Sequence, residues 1–141
     1  MSDEFSKNAI LFIALGDLDI EYLKISKKLG FYTIATNKDP NAIALKQADS
    51  GIIVDGNKIE TILQIVLNNY AHLKILCVYT GTELHLTKSI LEKALGLDSN
   101  SIISDFSGDN KVLMKNLLIK DSIPTPSFDF YQTEEGALNK K

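Results

Sequence analysis

The sequence predicts an α/β domain, with a parallel sheet and helices on both of its faces. Three observations carry this reading. Short apolar runs alternate strictly with stretches whose apolar residues recur at helical spacing. The runs are apolar throughout rather than at every second position, as strands buried on both faces are. The first strand, helix and second strand together take about 30 residues, the size of a unit that joins two parallel strands by a right-handed crossover.

The first run, AILFIA at 9–14, is the first strand. Gly16, Asp17, Leu18 and Asp19 break it, and either Asp suits the free N–H groups at the start of a helix. Leu18, Tyr22, Ile25 and Leu29 then recur at helical spacing with Lys24, Lys27 and Lys28 between them, and Gly30 stops the helix. Residues 31–36 form a second strand, and Asn37-Lys38-Asp39-Pro40 turns the chain. A short Ala-rich helix at 42–48 leads to a third strand, GIIVD at 51–55. Ile59, Ile62, Leu63, Val66 and Tyr70 mark a long helix over 57–70. The fourth strand, KILCVY at 74–79, is followed by Thr80-Gly81-Thr82-Glu83. Leu86, Ile90, Leu91, Ala94 and Leu95 share the face of the next helix, which Gly96 ends. Ser101-Ile102-Ile103 reads as a short fifth strand, and 111–120 as a helix with Leu113, Met114, Leu117 and Leu118 on one stripe and Asp109 or Asn110 as its cap. Ile123-Pro124-Thr125-Pro126 is rigid and extended, and 127–131 alternates like a strand, with Phe128 and Phe130 on one face. Strands one to four are expected in the order three-two-one-four. Ligands of such sheets sit beyond the carboxyl ends of the strands, which puts residues 16–19 and 37–39 on the working edge.

Composition excludes several classes of function. The chain has 141 residues, 45% hydrophobic and 23% charged, with a net charge of −3 and no basic block. That is ordinary globular composition, with nothing to hold nucleic acid. The single cysteine, Cys77, lies in an apolar strand and reads as core. It permits no intramolecular disulfide, and a reducing, cytoplasmic setting is expected. Residues 1–8 are too polar for a signal peptide. No apolar run approaches the ~18–20 residues of a membrane span. His72 and His85 have no second ligand at metal spacing, so no metal site is expected within the chain.

Taken together, these pieces resemble the amino-terminal part of an ATP-grasp enzyme, of the carboxylate–amine ligase and biotin carboxylase group. The resemblance runs from about Ile10 to Tyr131. It rests on Leu15-Gly16-Asp17, Leu29-Gly30-Phe31, Asn37-Lys38-Asp39-Pro40, Ala48-Asp49-Ser50-Gly51, Thr80-Gly81-Thr82-Glu83 and Leu95-Gly96-Leu97. Its most specific piece is Asp109-Asn110-Lys111-Val112-Leu113-Met114-Lys115, leading to Ile123-Pro124-Thr125-Pro126. The turn after the first strand has a single glycine where relatives often have several, and Asn37 stands where many have Asp.

The resemblance implies a Rossmann-like pre-ATP-grasp domain over 1–104, then a linking helix and the first elements of the ATP-grasp domain over 105–141. It implies a parent ligase in which ATP, with Mg2+, phosphorylates a small carboxylate to an acyl phosphate that an amine then attacks. It places Lys111 at the nucleotide phosphates, where a helix N-terminus also favours an anion. It places Glu83 at the amine substrate; favourable first-turn charge on the next helix accounts for this residue equally well. Gly16, Asp17 and Leu18 are candidates for the substrate wall through their backbone N–H groups, and a tight turn with a helix cap explains them too. No catalytic residue lies within the chain, which is expected to fold but to be inactive alone and to continue past Lys141 in the natural protein. A homodimer is compatible with this reading.

Two other readings compete. In a receiver-like phosphoacceptor domain, Asp17 and Asp19 after the first strand, Asp55 at the end of the third and Thr80 at the end of the fourth would surround a magnesium ion, but no lysine ends a fifth strand. A dinucleotide-binding domain lacks its glycine pattern, because Gly16 stands alone.

Overall fold

The computed structural model describes residues 7–138. They form two compact units, divided between Asp109 and Asn110.

The first unit is built on four parallel strands, β1 (Asn8–Ile13), β2 (Tyr32–Asn37), β3 (Ser50–Ile53) and β4 (Lys74–Thr80), in the order β3-β2-β1-β4. This is the expected order. The connections carry α1 (Ile20–Lys28), α2 (Ile43–Gln47) and α3 (Ile59–Asn69), and α4 (His85–Ala94) and α5 (Ile102–Asp109) follow β4. One core cluster joins Leu11, Ile13, Ile34 and Val78 to Ile62, Val66 and Leu91 of α3 and α4. A second joins Phe12 and Ala35 to Leu23 of α1 and Ala44 of α2. Alternate residues of the central strands feed the two clusters, which is why β1 and β2 are apolar throughout. Gly30 and Gly96 end α1 and α4 in the left-handed region, at φ 86° and 73°.

Four expectations give way here. Ser101-Ile102-Ile103 opens helix α5 instead of a fifth strand. Ser101 caps it: its carbonyl accepts from Asp105 N at 3.1 Å and its hydroxyl from Ser104 N at 3.4 Å. Capping and the Asp105 side chain, held by Ser89 and Asn100, outweigh the β-branched pair. Because α5 lies on α4, polar residues of α4 are also buried, namely Thr87, Ser89 and Glu92. Glu92 is paired with Lys88 at 2.8 Å. Cys77 is exposed rather than core, since β4 is an edge strand with no neighbour on its outer side among the described residues. Leu18, Tyr22, Ile25 and Leu29 are all exposed; the core face of α1 is the one that carries Leu23 and Ser26.

The fourth correction lies in the second unit, where α6 (Lys111–Lys120) is followed by an irregular segment and α7 (Glu134–Leu138). Residues 127–131 form no strand. Lys115 Nζ donates to Thr125 Oγ1 at 2.7 Å and to Pro126 O at 3.3 Å, and sits 5.8 Å from the Phe128 ring centre. Lys115 thus ties the segment to α6 where a strand ladder was expected. Asn110 caps α6, its Oδ1 accepting from Leu113 N at 3.0 Å.

Candidate functional site

A cleft of about 370 Å³ opens at the carboxyl ends of the strands. Ala14 after β1, Asn37 and Lys38 from the end of β2, Asp55, Gly56 and Asn57 after β3, and Thr82, Glu83 and Leu84 after β4 line it. It therefore sits where parallel α/β sheets bind ligands, beside the strand at which the order reverses.

Each wall is held by its own turn. Ala14 has φ 49° and donates its N–H to Thr36 Oγ1 at 3.2 Å. A non-glycine residue in this region is strained, and such residues concentrate at functional sites. Asn37 Nδ2 donates to Leu15 O at 3.1 Å, tying the ends of β1 and β2, while its Oδ1 accepts from Asp39 N at 3.0 Å. Asp55 Oδ1 accepts from Asn57 N at 2.9 Å and from Asn57 Nδ2 at 3.1 Å. Those two bonds, backbone first, together with the charges of Lys38 and Lys58, hold the Asp55 carboxyl below its ordinary range. It is an anion at neutral pH. Gly56 lies at the floor, where a Cβ would come within 2.5 Å of Leu84 Cδ1 and 3.3 Å of Ala14 Cβ. After β4, the Thr80 and Thr82 hydroxyls pair at 3.1 Å. The lining thus carries a lysine, two carboxylates and two amides over a small apolar floor, which suits a polar ligand bearing both an anionic and a cationic or hydroxyl group.

Of the residues singled out from the sequence, Glu83 lines this cleft. Gly16, Asp17 and Leu18 do not; Asp17 and Leu18 lie in a single 3-10 turn, with Gly16 as its N-cap. Asp19 in the same turn reaches toward β4 instead. It accepts from Tyr79 OH at 3.3 Å and lies against Gly81, where a Cβ would overlap its carboxylate. Burial, then the charge of Asp19, push the Tyr79 hydroxyl up to about 12. Lys111 is exposed at the first position of α6, in the second unit. Sequence reasoning put residues 37–39 on the working edge without giving Lys38 a role, and passed over Asn57. The signal available was position alone: each directly follows a strand end or its turn.

The sheet order decides against the receiver-like reading. Receiver-type sheets place the third strand beside the first, whereas here β2 separates them and β4 takes that place. Asp17 and Asp55 therefore follow strands that are not neighbours. Among the described residues, no three His, Cys, Asp or Glu side chains are grouped to hold a metal ion, and no helix is long and apolar enough to cross a membrane.

No protein-family model matches the chain, and no curated protein does. Solved structures do. An L-amino acid ligase from Bacillus licheniformis superposes with a TM-score of 0.70 at 15% identity, over 96% of this chain and 35% of that one. An N5-carboxyaminoimidazole ribonucleotide synthetase from Thermotoga maritima gives 0.65 at 22% identity, over 94% and 35%. A phosphoribosylglycinamide synthetase from Anaerococcus prevotii gives 0.66 at 21%, over 96% and 35%. The chain spans about a third of the length of each. These are ATP-grasp ligases, and the chain has the fold of their amino-terminal domains, as the sequence resemblance implies.

Proposed function

We propose that this chain is the amino-terminal substrate domain of an ATP-dependent ligase that joins a small carboxylate to an amine. The observation that carries the reading is the cleft at the switch of the β3-β2-β1-β4 sheet, in a fold shared over 94–96% of the chain with such ligases. In this reading the cleft is one wall of the substrate site. Glu83 holds the ammonium of the amine by a charge-assisted hydrogen bond, and Lys38 and the Asn37 and Asn57 amides hold its polar remainder. Gly16, Asp17 and Leu18 form the outer lip.

The residues present fit ATP at one point. Lys111 opens a ten-residue helix whose first N–H groups point outward, and Asn110 satisfies one of those groups, that of Leu113. ATP, when bound, supplies the phosphoryl group that activates the acid. Lys111 holds one of its phosphates, and the remaining contacts and the magnesium ligands belong to the part of the ligase outside this chain. The reading divides the chain near residue 104, with the linking helix and the start of the ATP-grasp domain beyond, and places the protein in the cytoplasm.

The test is phosphate release from ATP and magnesium by the full-length protein, across a matrix of carboxylates and amines. Release that requires one acid and one amine together, with stoichiometric amide, supports the reading. Release indifferent to both defeats it. Residues 1–141 alone should give no turnover, because phosphoryl transfer needs phosphates and metal ions held from several sides.

A further inference from the structure

The charges around the cleft limit the kind of amine it can take. Among the described residues its lining holds one cation, Lys38, and two carboxylates, Asp55 and Glu83. Lys38 lies near enough to Asp55 to stabilise that carboxylate's charge. A phosphate ester carries close to two negative charges at neutral pH. Proteins hold such a group on several cations or on the N–H groups at a helix start. Backbone N–H groups next to this lining are already taken. At the start of α4, Asp109 accepts from His85 N at 3.2 Å and from Leu86 N at 2.9 Å. In the turn into α3, the Asp55 carboxylate accepts from Asn57 N at 2.9 Å, and its carbonyl from Lys58 N at 2.9 Å. A phosphate here would meet two carboxylates with one lysine to answer them, and like charges brought together oppose binding.

We infer that, given the ligase function proposed above, the amine substrate is an unphosphorylated amino acid, its carboxylate on Lys38 and its ammonium on Glu83. A zwitterion offers the lining one charge of each sign. Its single anionic group needs only the one lysine, and its cation lies among the carboxylates. Asn37 uses one amide N–H on Leu15 O at 3.1 Å, and its second can join Lys38 on the substrate carboxylate. In the coupling step the amine nitrogen bonds to the acyl carbon, and the acyl C–O bond to phosphate breaks. Of the ammonium protons, one stays on the amide nitrogen, one leaves with phosphate and one goes to solvent. The products are an N-acyl amino acid, ADP and phosphate.

The experiment is phosphate release and amide formation by the full-length protein with ATP, magnesium and a set of carboxylates. The amines are the common amino acids, the carboxamide of each active one, and two phosphorylated amines, 2-aminoethyl phosphate and glucosamine 6-phosphate. At least one amino acid should be coupled, and its carboxamide should have a KM about 10–100-fold higher, the effect of one lost charge-assisted bond. Lys38→Ala should raise the KM of the amino acid by about the same factor and leave that of the carboxamide within about threefold of the parent. Lys38→Arg should keep the amino acid within about threefold of the parent, because it still offers a cation to the carboxylate. Release that needs a phosphorylated amine and ignores every amino acid overturns the inference, and the ligase reading stands. A carboxamide that matches its amino acid in the parent also overturns it. So does a Lys38→Ala variant that raises both KM values together, as a merely structural lysine would. Release with no acid and amine pair defeats the ligase reading, and the inference falls with it.

Discussion

Asp49 is expected to be worth more to this fold than its partly exposed position suggests. The strand β3 begins only at Ser50, so the backbone N–H of Thr33 in β2 has no ladder carbonyl opposite it. Asp49 supplies the acceptor. Its Oδ2 takes the Thr33 N–H at 2.8 Å and the Thr33 hydroxyl at 2.7 Å, and its own N–H donates back to Thr33 Oγ1 at 3.0 Å. Thr33 is fully buried. Asp49→Ala leaves two buried donors without an acceptor, which costs about 2–4 kcal/mol in all. The ion pair with Lys27, at 3.3 Å between partly exposed groups, adds no more than about 1 kcal/mol. For a domain of this size the sum lowers Tm by roughly 6–15 °C. Asp49→Asn keeps an oxygen in place and should cost about half as much.

The pH dependence has a definite sign. Burial pushes the Asp49 carboxyl up, but the Thr33 hydroxyl, the Thr33 N–H and Lys27 together hold it below its ordinary 3.8. A depressed carboxylate contributes stability above its unfolded-state value and loses it as pH falls through the folded one. The gap between parent and Asp49→Ala in urea melts should therefore be full at pH 7 and close as the pH drops below about 3.8. A gap under about 0.5 kcal/mol at pH 7, or one that widens with acid, refutes the lock.

Three further outcomes are expected. Ala14→Gly relieves the left-handed alanine at about 1–2 kcal/mol but restores chain entropy of about 0.5–1 kcal/mol, so Tm should rise by a few degrees; a fall would show that the side chain packs on the cleft floor. In the full-length protein, Glu83→Gln should raise the KM for the amine and leave the KM for ATP unchanged; a lower Tm with normal kinetics assigns Glu83 to the helix terminus instead. Lys111→Ala should raise the KM for ATP about 10–100-fold, the effect of one lost charge-assisted phosphate contact, and unchanged ATP kinetics would remove Lys111 from the site.

The sheet was legible because its strands obey a local rule. A strand buried on both faces is apolar throughout, and the helices between strands leave no other arrangement than parallel neighbours. What failed depended on what covers what. Leu18, Tyr22, Ile25 and Leu29 recur with a helical period as regular as any core face, and periodicity does not say which of two faces meets the sheet. Cys77 is apolar in context but lies on an edge. Ser101-Ile102-Ile103 has strand propensity, yet Ser101 is a cap and Asp105 has two buried-side partners waiting in Ser89 and Asn100. The cleft was legible only as an edge. Glu83 and Asp55 could be placed there because each follows a strand, whereas Lys38 and Asn57 differ from any solvated turn residue only in the neighbours that distant strands bring to them.

The pieces that carry the family resemblance now divide by physical role, and the division bears on function. Asp49 closes the open end of β2, and Gly51 lets α2 approach, since a Cβ there would fall 2.5 Å from the Leu45 carbonyl oxygen. Lys115 ties the Ile-Pro-Thr-Pro segment to α6. These contacts hold the fold itself, whatever the domain binds. Asn37, Lys38, Asp55 and Glu83 are different. Of these four, Asn37 holds another strand end in register, through Leu15 O, and Asp55 closes its own turn by accepting from Asn57 N, while Lys38 and Glu83 line the cleft beside them. On the proposed reading, Lys38 and Glu83 set substrate identity from the cleft lining while the scaffold stays constant. That is the condition under which one architecture serves ligases as distant from this chain as 15–22% identity.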